Sequence, residues 1–252
     1  MIGFITFGIS TLNAEVDSLR ISNKSIIMED FKFFPSDVCK YYYPKPSRIT
    51  TNQCENIMAV TTFGGLFLLT DSKIQSQISS LNHSTEMERA AKYIEPFGNY
   101  YLFIPTGFLG LYGLIGHQPR QINASFGVSE SIVLSSLSTF GLKLLFERER
   151  PYQSSNQFAF HGPVGKWDFK SFPSGHTEAI FSFVAFLSTY YPEKKWIKYI
   201  GYPLGILTGF SRVYSNDHWM SDVFVGAAIG TATGVYLGKK RRNRYLTTFG
   251  KK

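Results

Sequence analysis

The sequence predicts an all-α protein: a bundle of about six core helices, integrated in a membrane. Three observations carry this expectation. Uncharged runs recur over residues 56–70, 96–119, 131–142, 179–192, 199–211 and 223–238, and runs of this length read as helices because strands rarely continue so far. Small residues cluster inside them, as in Gly226, Ala227, Ala228, Gly230, Ala232 and Gly234, which lets helix backbones approach closely. Charged residues are only 17% of the chain, aromatic residues 16%, and the charges that interrupt the runs stand at their ends.

The elements follow in chain order. Residues 1–14 are apolar and end in small or polar residues before Glu15, resembling the core and cleavage region of a secretory signal without its basic leading segment. Residues 15–55 mix both charge signs with Lys45-Pro46 and the run Tyr41-Tyr42-Tyr43, and show no sustained helical period; they read as an irregular arm. That arm holds Cys39 and Cys54, whose number and spacing match no zinc site; paired and free thiols fit the sequence equally well. Residues 56–238 form the helical domain. Of its runs only 96–119 exceeds the roughly twenty apolar residues that a bilayer core requires, so a compact bundle outside a membrane satisfies the same pattern.

Residues 239–252 read as a basic C-terminal tail. Lys239, Lys240, Arg241, Arg242, Arg244, Lys251 and Lys252 supply +7 of the net +8, leaving about +1 on everything before them. No basic face remains for a nucleic-acid duplex. A cation cluster directly after an apolar run is the pattern of a cytoplasmic membrane flank.

Three patterns carry the chemistry. Lys143, Arg150 and Pro151 occur in KLLFERERP; Pro173, Ser174, Gly175 and His176 are contiguous; Ser211, Arg212, His218 and Asp222 occur in SRVYSNDHWMSD. Singly each is weak, but together eleven residues keep the order and spacing K-x6-R-P, P-S-G-H, S-R-x5-H-x3-D. From Lys143 to Asp222 the chain thus resembles the type 2 phosphatidic acid phosphatase and vanadium haloperoxidase superfamily. The resemblance implies a metal-independent phosphatase, with no cofactor, acting on phosphomonoester or pyrophosphate bonds of a lipid through a phosphohistidine.

The residue types fit that chemistry on their own terms. His218 and Asp222, at i and i+4, would share one helix face, so the carboxylate can fix the imidazole tautomer and leave the other nitrogen free to attack phosphorus. His176 titrates near neutrality and suits proton delivery to the leaving group and proton removal from water. Gly175 and Ser174 open a helix start whose amides and hydroxyl can hold an anion. Lys143, Arg150 and Arg212 supply fixed positive charge for the equatorial phosphoryl oxygens, with Lys143 and Arg150 two turns apart on one helix face. Ser211 reads as positioning Arg212, Arg148 as a solvated neighbour, and residues 152–172, including an incidental His161, as a loop that covers the site.

With the basic tail taken as cytoplasmic, all these residues thread to one non-cytoplasmic rim of a cell-envelope membrane. The thread tangles at 56–70: if that run spans, residues 15–55 are cytoplasmic and residues 1–14 are not a cleaved signal. The expected partner is a phosphorylated lipid or small phosphate ester, not nucleic acid. The alternatives are a soluble exported acid phosphatase, a vanadate-dependent haloperoxidase, which the length disfavours, and a non-catalytic lipid-binding envelope protein, which the complete motif set disfavours.

Overall fold

The computed structural model of the chain describes residues 27–28, 36–37, 39–42, 50–80, 85–166 and 168–249. They form helices α1 (Thr51–Ser79), α2 (Thr85–Ile94), α3 (Phe103–Ile115), α4 (Pro119–Phe146), α5 (Gly175–Tyr190), α6 (Trp196–Tyr214) and α7 (Met220–Phe249), with 3-10 turns Glu95–Gly98 and Tyr100–Leu102 between α2 and α3. Extended pairing among the described residues is confined to one bridge, Arg148 to Phe160. The all-α expectation holds, and each of the six uncharged runs lies in one of α1 and α3 to α7. The run 96–119 is the exception in detail: its first residues form the two 3-10 turns, because Pro96 and the Asn99 break keep the helix from starting before Phe103.

Local chemistry sets the ends that matter. Pro119 opens α4, where a missing N–H is harmless. The helix stops where Glu147 turns left-handed at φ 39° and its N–H closes on the Lys143 carbonyl. Ser174 is extended and caps the start of α5. Asp222 stands in the first turn of α7, where a carboxylate meets the positive end of the helix dipole.

Helix α5 is the centre of the bundle and packs on α4, α6 and α7. The core between them contains Val128, Leu134, Ile180, Val184, Phe186, Tyr190 and Leu237. The closest approach is α5 to α7. Gly226, Gly230 and Gly234 repeat every fourth residue, and a Cβ on them would collide with the carbonyl oxygens of Ser174, Glu178 and Ser182 respectively. The two backbones therefore touch along a glycine ridge, which fixes the start of α5 against the start of α7.

The outer surface is apolar. Met58 (67% exposed), Leu69, Phe108, Ile115 (73%), Tyr199 and Ile206, on α1, α3 and α6, all face outward. Three helices, Cys54–Ser79, Pro119–Phe146 and Met220–Thr248, are long and apolar enough to cross a membrane.

Away from this belt the basic segment is structured. Helix α7 continues through residues 239–249, Arg241 is buried on Glu130 at 2.7 Å, and Lys240 and Arg244 hold the buried Asp37 at 2.7 and 3.0 Å. Tyr42 of the same segment donates to the Leu134 carbonyl at 2.8 Å. The described parts of 15–55 are thus helical where they meet the bundle, since buried partners on α4 and α7 supply what local periodicity does not. Cys39 and Cys54 are exposed free thiols; residues 1–14 lie outside the described residues.

Candidate functional site

One cavity of about 500 Å³ opens where the ends of α4, α5 and α6 meet the loop before α7. Lys143, Arg150, Gly175, His176, Arg212 and His218 all line it. These residues, up to 75 positions apart in sequence, converge there through the α5–α7 ridge and one backbone bond, from the Ser174 N–H to the Asp222 carbonyl at 2.9 Å. Gly175 faces open space: nothing lies within 4 Å of where its Cβ would be, so an anion can reach the first amides of α5.

His218 and Asp222 do not share a helix face. His218 sits in the bend before α7 begins at Met220, because α6 ends at Tyr214 and Asn216 reverses the chain at φ 60°. The pairing survives in another form: Nδ1 of His218 stands 3.6 Å from Oδ2 of Asp222, beyond hydrogen-bond length. Oδ2 instead accepts from Ser171 Oγ at 2.5 Å and from the Trp219 N–H at 2.9 Å. Burial, outweighing the neighbouring carboxylate, pushes the His218 pKa down to about 3, so the imidazole keeps its lone pair.

Arg148 corrects the sequence reading most sharply. It is fully buried, sandwiched against Phe160 and Trp219, and donates to Asp222 Oδ1 at 2.5 Å and to Asp71 Oδ2 at 2.8 Å. Asp71 comes from α1 and also accepts from the Ser221 N–H at 2.9 Å. The row Asp71, Arg148, Asp222, His218 runs from the outer helix into the cavity. Arg148 escaped sequence reading because the helix assumed to continue past Phe146 ends there, which changes the face of every following residue.

The same break places Arg150 in the loop beyond α4, yet it still reaches the cavity. Arg150 and Arg212 both approach Asp217, each at 3.4 Å. Arg212 also meets Glu95 Oε1 at 3.4 Å, and His176 Nε2 lies 3.9 Å from the same oxygen. Burial first, then the Arg212 charge, lowers the His176 pKa to about 4. Lys143 Nζ is held by the carbonyls of Lys170 and Ser171 at 2.7 and 3.3 Å. Ser211 Oγ accepts from Arg212 Nε at 3.4 Å. Ser174 is buried behind the lining, where its hydroxyl accepts from Thr177 at 3.1 Å.

The loop 152–172 braces rather than covers. None of its described residues lines the cavity; Phe160 and Phe172 pack with Phe146, and its carbonyls and Ser171 steady Lys143 and Asp222. His161 pairs with Glu149 at 2.8 Å. The wall that the sequence left unassigned is Gly98, Asn99, Tyr100 and Phe103; a Cβ on Gly98 would press on the His176 backbone at 2.6 Å, so this turn seats directly on the start of α5. Among the described residues no three His, Cys, Asp or Glu side chains converge as a metal ligand set.

A lipid A 1-phosphatase of Porphyromonas gingivalis is 40% identical over 65 residues, 25% of this chain and 15% of that protein. An undecaprenyl-diphosphatase of Sulfolobus acidocaldarius is 29% identical over 141 residues, 55% of this chain and 63% of that protein. The chain therefore spans less than two thirds of either relative. The crystal structure of a transmembrane PAP2 type phosphatidylglycerolphosphate phosphatase from Bacillus subtilis shares the fold, with a TM-score of 0.54 at 18% identity over 74% of this chain and 96% of that one. The profile described as the PAP2 superfamily matches residues 124–245, a stretch that contains all three motifs and every cation of the cavity, and over that stretch the chain belongs to the superfamily.

Proposed function

We propose that this chain is a membrane-associated, metal-independent phosphatase that hydrolyses a phosphomonoester or pyrophosphate of a lipid through a phosphohistidine on His218. The observation that carries the reading is the convergence, in one cavity, of three cations and two neutral imidazoles beside the open start of α5. Lys143, Arg150, Arg212 and the amides at Gly175 hold the phosphoryl oxygens, with Ser174 shaping that helix start. Asp217 and Glu95 hold the arginines until the phosphate replaces them.

The free nitrogen of His218 then attacks phosphorus in line, a P–N bond forms, and the P–O bond to the leaving group breaks. His176 gives its proton to the departing oxygen. Its low pKa rises when a phosphate dianion takes the place of Glu95 beside it, so the proton is acquired with the substrate. In the second half His176 takes a proton from water, the hydroxide attacks phosphorus, the P–N bond breaks and inorganic phosphate leaves. Asp222 orients His218 throughout.

The apolar belt favours a substrate presented from the bilayer, and both curated relatives carry names of phosphatases of lipid-linked phosphates. The basic end of α7 lies opposite Asp222, which supports a cytoplasmic basic rim and an active site on the non-cytoplasmic face.

Purified protein in EDTA should release phosphate from lipid phosphates faster than from a soluble ester. Base-stable, acid-labile phosphoenzyme should form from a substrate with a good leaving group. His218→Ala should abolish the label, while His176→Ala should accumulate it because unactivated water becomes limiting. Label on His218→Ala but none on His176→Ala would reverse the two assignments, and phosphate release that needs added magnesium would overturn the metal-independent mechanism.

A further inference from the structure

Glu178 has no part in the chemistry above, yet it lines the same cavity and is 1% exposed. One of its oxygens accepts from Ser136 Oγ at 3.1 Å and the Ser135 hydroxyl also neighbours the carboxyl; Oε1 has no partner in hydrogen-bond geometry among the described residues. Across from it on α4, Thr139 also lines the cavity, is 3% exposed, and its Oγ1 is likewise unpartnered. Two buried polar atoms left open on the lining of one cavity are costly unless a bound group completes them.

A carboxyl there brings no positive charge to a phosphate in either protonation state. It accepts a hydrogen bond. The helix register gives its distance from the phosphate cradle: Glu178 follows Gly175 by three residues, about 4.5 Å along α5, and Thr139 precedes Lys143 by four, about 6 Å along α4. The pair thus sits one helical turn deeper than the cations, between walls formed by Ser136 and the apolar Ile132, Phe140 and Ala179.

We infer that Glu178 and Thr139 form a hydroxyl-recognition site, so that the substrate's leaving group carries a free hydroxyl within two or three atoms of its phosphate ester oxygen. The hydroxyl donates to Glu178 Oε1 and accepts from Thr139 Oγ1, completing both. This inference rests on the phosphatase reading and narrows its substrate class to hydroxylated lipid phosphates. A leaving group without the hydroxyl buries both protein atoms unpaired, which is the circumstance in which a polar site discriminates strongly.

The test compares 1-acyl lysophosphatidic acid with its 2-deoxy analogue, which differ by that one hydroxyl. The wild-type protein should favour the hydroxylated ester in kcat/KM by tenfold or more. Glu178→Ala and Thr139→Val should each lower this ratio at least fivefold, whereas Glu178→Gln and Thr139→Ser, which keep an oxygen in place, should hold it within about threefold. A role in packing alone would move both substrates together and leave the ratio unchanged; that result, or a wild-type ratio near one, overturns the inference. Failure of the phosphatase reading looks different, since neither ester would then release phosphate.

Discussion

A histidine that must attack phosphorus needs its lone pair, and the residues behind His218 decide whether it keeps it. Burial holds the imidazole neutral, while Asp222 alone would favour the protonated form; Arg148 offsets Asp222 through the contact between its guanidinium and Oδ1. Arg148 is therefore a positioning residue. Arg148→Met should lower kcat/KM on the order of 10- to 100-fold through misplacement of Asp222. It should also shift the acid limb of phosphoenzyme formation. In the wild type a His218 pKa of about 3 leaves nearly all of the imidazole unprotonated at pH 5, and an unshielded Asp222 raises that pKa, so the variant should lose rate at a higher pH than the wild type does. Because a lone buried charge costs about 3–5 kcal/mol, Arg148→Met with Asp71→Asn removes a second carboxylate and preserves the test if the single variant folds poorly. An unmoved acid limb in the double variant would show that Arg148 only packs.

Helices, more than single residues, explain which parts of the site were legible beforehand. The spacing of the three motifs named every cation and both histidines of the cavity, because those residues lie in short stretches whose order does not depend on where helices end. Their supports were not legible: the left-handed Glu147 and the turn at Asn216 cut two helices short, and the partners Asp71 and Glu95 come from segments far from the motifs. The turn at 98–103 was assigned to a continuous helix, since an apolar run does not reveal its 3-10 start. The glycines of α7 were legible as a close-packing surface, though not their partner. Gly230→Val would set a side chain against the Glu178 carbonyl and push α5 from α7, stretching the Ser174 to Asp222 bond that joins the two halves of the site. A loss of about 1–3 kcal/mol and a fall in kcat are expected in detergent-solubilised protein. Gly141→Ala is the contrast, because its Cβ meets open space within α4 and the helix gains roughly 0.5–1 kcal/mol. Equal thermal midpoints for the two variants would mean that the α5–α7 contact is not the tight seam of the bundle.

Across the whole molecule, polarity is arranged along one axis. Asp71, Arg148, Asp222 and the cation cradle stand at one end, Asp37, Lys240 and Arg244 at the other, and outward apolar side chains fill the height between them. Helix α1 meets the start of α7 at Asp71 on Ser221 and packs Phe67 and Phe63 against Phe224. Helix–membrane geometry then makes the proposed sidedness measurable. In a background with Cys39→Ser and Cys54→Ser, both exposed thiols, a cysteine placed at Ser155 in the loop beside the site and one placed at Asn243 near the basic end of α7 stand on opposite rims. In intact cells a membrane-impermeant maleimide should label Ser155→Cys and leave Asn243→Cys unlabelled until the membrane is opened. The reverse pattern would put the cavity on the cytoplasmic side and the basic cluster outside, against the charge bias that fixes helix orientation. Labelling of both in intact cells would show that the bundle does not cross the membrane at all.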